Sequence, residues 1–246
     1  NSTRPHPRRV TQPQKSQYPE DMNNILATAL LFVLSVCMAT AQHFNTYDVD
    51  YDVRKCKDII ERNSGHTEQE LANDLLRNFP LTQNGVIKFQ YVLRADTLFD
   101  MDEMREIVEH WQRTELGVAP QLRKDGNTFY TDKAIKEMAR IPGGMFGFST
   151  VISAEMTCLV ELREGRMRIT VQVPRYRLGF SSVDELEDEL VRPGDCYPAK
   201  NKGREQAAYA KAFNGSIIWA LNTCQSLSTV LKVRHDIQQG KPAEDW

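Results

Sequence analysis

Between Val86 and Leu93 apolar and polar side chains alternate. Ile87, Phe89, Tyr91 and Leu93 point one way, and Lys88, Gln90 and Arg94 the other. A period of two is the mark of a strand with one face buried. Asn84-Gly85 just before it tolerates positive φ and reads as a turn. The same period recurs in Thr150 to Leu162 and in Arg166 to Val173, joined by the turn Arg163-Glu164-Gly165. Met167, Ile169, Val171 and Val173 share a side with Cys158, Val160 and Leu162. Arg166, Arg168, Thr170 and Gln172 share the opposite side with Thr157 and Glu161. This is a hairpin, and Pro174 is expected to end its second strand.

Elsewhere the spacing lengthens to that of a helix. Val53, Cys56, Ile59 and Ile60 form one short helical stripe, and Leu71, Leu75 and Phe79 a second. Thr67 and Glu70 make a capping box in front of the second stripe, and Pro80 stops it. Asp100 and Glu103 repeat the box before Met104, Ile107, Val108 and Trp111, in a helix expected to end near Gly117. A long helix is predicted from Arg204 to Lys232, with Tyr209, Phe213, Ile217, Ala220, Leu221, Cys224, Leu227 and Leu231 on one apolar stripe. Gly215 weakens it by about 1 kcal/mol relative to Ala. Phe129 to Ile141 is mixed, since Ala134, Met138 and Ile141 suit a strand or a helix. Thr46 to Asp52 reads as an exposed acidic leader, and Asp184 to Glu189 as a solvated charge cluster.

The order is strand, helix, antiparallel strands, long helix. It predicts an α+β fold: a curved antiparallel sheet with two helices on one face, preceded by short helices, with the other face left wet.

One stretch changes the picture. Ile25 to Ala41 holds 17 residues without a charge and ends in Ala39-Thr40-Ala41, a small-x-small pattern. A spanning helix needs about 17–25 residues. No Lys/Arg cluster follows, as a stop-transfer anchor would have. Residues 22–41 are therefore expected to be a secretory signal, with a retained anchor or a buried core helix as alternatives. Val36 argues against lipidation of Cys37, because a small residue normally precedes such a cysteine. Residues 1–21 carry Pro, Gln and four basic side chains, a composition expected to be disordered, and Met22 is a plausible start. The expected compartment is periplasmic or secreted, the alternative an N-terminally anchored protein.

The whole chain of 246 residues has 31 basic and 33 acidic residues and a net charge of −2. Without residues 1–41 the balance becomes 27 to 31, a net charge of −4. A mildly acidic chain is poorly matched to bulk nucleic acid or anionic lipid. Cys56, Cys158, Cys196 and Cys224 permit two disulfides in an exported protein. Cys158 and Cys224, on apolar faces, read more simply as buried thiols.

Candidate chemistry is sparse. The acidic leader lacks the Gly and closing Glu of a calcium loop, and the cysteines lack zinc spacing. The run from Ile141 to Gly147 lacks the Lys-Ser/Thr of a phosphate loop and reads as a strand connection. No G-x-S-x-G, H-E-x-x-H or S-x-x-K occurs. No catalytic residue, metal ligand or cofactor is assigned. The candidate binding residues are those of the open sheet face: Lys88, Gln90, Arg94, Arg166, Arg168, Thr170 and Gln172. Their expected partner is a protein, peptide or glycan, with no nucleic acid and no membrane span once the signal is cut. The competing expectation is a hydrolase whose dispersed site joins a Ser or Cys to His66, His110 or His235.

Three stretches carry a family resemblance: NFPLTQNGVIKFQYVLRAD, LFDMDEMREIVEHW and MTCLVELREGRMRITVQVPRYRL. They resemble an exported bacterial family of unknown function with a TATA-binding-protein-like (TBP-like) fold, over residues 79–232. The resemblance implies a curved antiparallel sheet backed by two helices, and no established activity. Residues 42–78 are then an N-terminal linker with short helices, and 233–246 a C-terminal tail.

Overall fold

The predicted hairpin is the spine of the sheet. In the computed structural model, residues 47–95, 99–143, 149–180, 189–198 and 204–238 are described, all within the unit Phe44–Trp246. The signal expected at 22–41, the segment before it, most of the Gly-rich run and the acidic residues 184–188 lie outside them.

Five strands form one antiparallel sheet: β1 (Ile87–Arg94), β2 (Thr128–Ile141), β3 (Thr150–Arg163), β4 (Arg166–Phe180) and β5 (Glu189–Val191). The order is β1-β4-β3-β2, with β5 also on β4. Five helices accompany it: α1 (Tyr47–Arg62), α2 (Glu68–Asn78), α3 (Met101–Thr114), the single turn α4 (Pro193–Cys196) and α5 (Arg204–Gln238). The protein is α+β, as the element order predicts.

Both capping boxes form. Thr67 Oγ1 accepts from Glu70 N at 3.3 Å, and Glu70 Oε2 accepts from Thr67 N at 2.8 Å. Asp100 Oδ1 accepts from Glu103 N at 2.8 Å, and Glu103 Oε2 from Asp100 N at 3.0 Å. Each box satisfies N–H groups that have no partner inside the helix, worth about 1 kcal/mol for a good cap. Beyond α3, Gly117 takes a left-handed φ of +64° in the turn that ends it.

Several expectations are corrected. Pro174 does not end β4, which runs on to Phe180. The β1 ladder stops at Ile87 opposite Val173, and along β4 the β5 ladder starts at Tyr176, opposite Val191. On the other side the β3 register slips between Glu155 and Thr157. Pro174 thus sits at a bulge between two ladders, where a missing N–H is tolerated. The acidic leader is not a leader: Tyr47 opens α1, and Val49 is fully buried. Acidic residues in a first helical turn suit the positive end of its dipole. Phe129 to Ile141 is a strand, and its mixed pattern comes from a register shift between Ile135 and Ala139, where Glu137 adopts φ +54°. The cysteines need no correction: Cys158 and Cys224 are buried free thiols, as their apolar faces suggest, and Cys56 and Cys196, for which a disulfide was only permitted, are also free and buried.

α5 reaches all four long strands and also packs α1, α2 and α3. Burial on several sides explains why its apolar positions exceed one stripe. Ala208, Ala210, Ala212 and Ser216 are buried together with Phe213, Ile217, Leu221, Cys224 and Leu227. Residues 47–78, expected as a linker, contribute Val53, Cys56, Ile59, Ala72 and Leu75 to the same core. Gly215 has a packing reason: a Cβ there would lie 2.8 Å from the terminal methyl of Met138 on β2. The helix gives up propensity at that position and gains a notch against the sheet.

Candidate functional site: the open face of the sheet

Strand alternation sorts β4 into two sets. Met167, Ile169, Val171 and Val173 are fully buried under the helices. Arg166, Arg168, Thr170 and Gln172 face away. The β1 register sets Lys88 opposite Gln172, Gln90 opposite Thr170, Val92 opposite Arg168 and Arg94 opposite Arg166. All seven predicted residues therefore share one face.

They are not equally available. Thr170 is only 6% exposed, walled in by its cross-strand neighbours Gln90 and Leu159. Arg168 is engaged: its Nε and Nη2 donate to the two carboxylate oxygens of Glu161 at 2.6 and 2.5 Å. That fork holds the Glu161 carboxyl below the usual range and raises the guanidinium of Arg168. Lys88, Gln90, Arg94 and Arg166 stay exposed and Gln172 half-buried. The β3 register adds Arg163 opposite Arg166. Arg94, Arg166 and Arg163 thus stand side by side on β1, β4 and β3 at one end of the face.

Along the sheet from that row, at the β3–β4 bulge, lies a shallow pocket of about 330 Å³, lined by Tyr130, Asp132, Glu155, Thr157, Pro174 and Arg175 among others. Asp132 accepts hydrogen bonds from the Tyr130 hydroxyl and from Thr157 Oγ1, the latter at 3.0 Å. The bond to Asp132 and the nearby negative charge push the phenol above its usual value, so it stays protonated at neutral pH. Glu155 accepts from Arg175 Nε at 2.8 Å and from Arg177 Nη2 at 2.7 Å. The guanidinium of Arg123 lies 5.3 Å from the Tyr130 ring centre. Bulges re-aim side chains and often accompany binding sites. The pocket offers hydroxyl and guanidinium donors beside carboxylate acceptors, which suits a polar ligand held by hydrogen bonds.

Nucleophilic chemistry finds no support among the thiols. Burial pushes Cys158 and Cys196 up to about 12 and Cys56 up to about 11, and raises Cys224 well above its usual value. His66 lies in the turn after α1, His110 on the exposed side of α3 and His235 in the last turn of α5. None of them lines the face pocket or a second pocket of about 270 Å³ beside Asn222, Ser226 and Thr229 of α5. Among the described residues no group of three His, Cys, Asp or Glu converges to hold a metal.

Tyr130, Asp132, Glu155, Arg163, Arg175 and Arg177 were not among the predicted site residues. Tyr130 and Asp132 are spaced for one side of a strand, but only once their segment is read as one. Arg175 and Arg177 lie past Pro174, where the strand was expected to have ended.

These features define an α+β protein with one sheet face packed under helices and the other polar and open. No family model matches the chain, and no curated protein matches it. Among solved structures it is similar to a TBP-like protein from Parabacteroides distasonis ATCC 8503, at 8% identity and a TM-score of 0.42, over 63% of this chain and 97% of that one. A likeness at this level concerns chain shape and says nothing about binding or chemistry.

Proposed function

We propose that this is a non-enzymatic binding protein whose working surface is the open sheet face. One observation carries the reading. On that face Arg168 is paired with Glu161, and Arg175 and Arg177 share Glu155, while among the described residues the adjacent Arg94, Arg166 and Arg163 have no carboxylate partner. Opposed like charges are unfavourable in a free sheet, and a partner that supplies the missing charge removes the penalty.

The test places a photo-crosslinking residue at Lys88 or Gln90 on the open face, and at Lys57 or Arg113 on the helices. Crosslinks from envelope extract of the native host are expected at the open-face positions. Crosslinks confined to the helix positions would overturn the reading. An exported compartment belongs to the same proposal, and the motivation is the uncharged run Ile25 to Ala41. Mass spectrometry of the mature N-terminus is expected to find a chain starting at Gln42; an intact leader on a folded cytosolic form would remove export from the proposal. No disulfide joins the described cysteines, so the fold itself requires no oxidising compartment.

A further inference from the structure

We infer that the row Arg94–Arg166–Arg163 is the docking site for an extended acidic segment of a protein partner. This deepens the open-face reading and rests on it. The register places the three arginines in direct line across β1, β4 and β3, with Arg166 opposite both Arg94 and Arg163. Neighbouring Cβ atoms in such a row are about 5 Å apart. All three residues are exposed. None of the three side chains makes a hydrogen bond or ion pair with a described residue, and Arg163 reaches Glu161 only through its field. Glu164, in the same turn, pairs with neither of its flanking arginines.

The chemistry of the row narrows the partner. Among the described residues, neither the face pocket nor the one beside α5 is lined by the three arginines, which stand on an open stretch of sheet. Guanidinium forks match carboxylates in two-point contacts. Three of them spread over two interstrand spacings cover roughly 10 Å. An extended peptide shows its i and i+2 side chains on one side at about 6.6 Å, within reach of long arginine side chains. Single-stranded nucleic acid needs aromatic platforms as well as charge. Tyr130, the aromatic residue on this face with a defined register, sits in the row of Leu159 and Thr170. That row is four residues along the strands, about 13 Å away, so among the described residues the arginine row has no stacking platform beside it.

The experiment is fluorescence anisotropy with the full chain and a labelled 12-residue peptide alternating Glu and Gly. Its Gln-Gly counterpart, heparin and oligouridylate serve as comparison ligands. The triple variant Arg94→Gln, Arg163→Gln, Arg166→Gln is compared with a helix-side triple of equal charge change, Lys57→Gln, Arg62→Gln, Arg113→Gln. Circular dichroism and a thermal melt verify folding, and the single Arg166→Gln variant provides a milder probe. Expected is binding of the Glu peptide that weakens at least tenfold in the arginine triple and less than twofold in the control. The Gln peptide is expected not to bind, and a Lys-Gly peptide is expected to bind the Arg94→Glu, Arg163→Glu, Arg166→Glu variant. Equal affinity of wild type and arginine triple for the Glu peptide overturns the inference. So does arginine-dependent binding of heparin or oligouridylate in preference to the peptide, which would reassign the row to another polyanion. If crosslinks at Lys88 or Gln90 persist while the Glu peptide ignores the row, this inference falls and the open-face reading stands. If the open-face crosslinks also vanish, both fall.

Discussion

The two faces of β4 hold neighbouring residues in opposite environments. Ile169 is fully buried beneath α5, while Arg168, one residue earlier, faces water and grips Glu161. On the covered face stability comes from removing apolar area from water, and every position counts. On the open face charges are handled locally: Arg168 by Glu161, Arg175 and Arg177 by Glu155, Asp132 by two hydroxyls. The difference teaches where function can reside. A face already committed to packing cannot change without loss of fold. A polar face held by exposed pairs can exchange partners at little energetic cost.

The sharpest way to break this comparison is to truncate adjacent residues of β4. Ile169→Ala is expected to lose about 2–5 kcal/mol, with the spread set by how far the cavity collapses. Arg168→Ala is expected to lose under about 1 kcal/mol. Urea unfolding of the two variants measures both, and a reversed order would contradict the assignment of faces.

The margin of the covered face is probed at Gly194, in α4. Its N–H donates to Gly85 O at 2.8 Å, and a Cβ would fall 2.8 Å from Gly85 Cα. Backbone against backbone cannot yield as a side-chain tip can. Gly194→Ala is expected to destabilise by about 1–3 kcal/mol, read as a lowered thermal midpoint.

Base attacks the covered face selectively. The Cys158 thiol is raised from 9.0 to about 12 by burial, so the folded state keeps a proton that the unfolded chain releases. The stability this contributes is complete below about pH 9 and is lost as pH rises towards 12. Each such thiol removes about 1.4 kcal/mol per pH unit in that window. Denaturant midpoints between pH 8 and 11 should fall, and Cys158→Ala should flatten the slope by that amount per unit. An unchanged slope would place the thiol outside the core.

Acid attacks the open face. The Glu161 carboxyl is held below its usual value by Arg168. Its contribution is present above about pH 4 and is lost as pH falls through the lowered folded value. Wild type and Glu161→Gln should differ by under about 1 kcal/mol at pH 7 and converge as the pH falls through the lowered value of the folded carboxyl. Failure to converge would mean that the pair is not what stabilises this site.

The smallest effect concerns the arginine row. Arg166→Gln relieves opposition with Arg94 and Arg163 and is expected to stabilise by a few tenths of a kcal/mol at low salt, with the gain fading by 0.5 M salt as charges are screened. Destabilisation instead would show that Arg166 already has a structural partner.

Much of the fold is legible residue by residue. The alternation from Ile87 to Leu93 fixes the strand and its buried side, because a pleat has a period of two. Thr67 with Glu70, and Asp100 with Glu103, mark helix starts, because capping is local chemistry. The candidate face is half legible. Lys88, Gln90, Arg94 and Arg166 are recognisable as outward residues, yet nothing local announces that Arg168 closes on Glu161 or that Thr170 is shut in. β2 escaped because the slip at Ile135 to Ala139 breaks its period. The stretch of β4 from Pro174 to Phe180 escaped because the tolerance for Pro174 depends on where two other strands stop.

The sequence by itself determined the class of fold, the inner side of the hairpin and the polar character of its outer side. Those follow from short-range periodicity and capping, which reach only a few residues. Tertiary structure alone decided that α5 is surrounded on several sides, that Gly215 makes room for Met138 and Gly194 for Gly85, and that Arg94, distant in the chain, joins the hairpin arginines Arg163 and Arg166 in one row. Register and close approach are agreements between distant segments, and no window of neighbouring residues contains them.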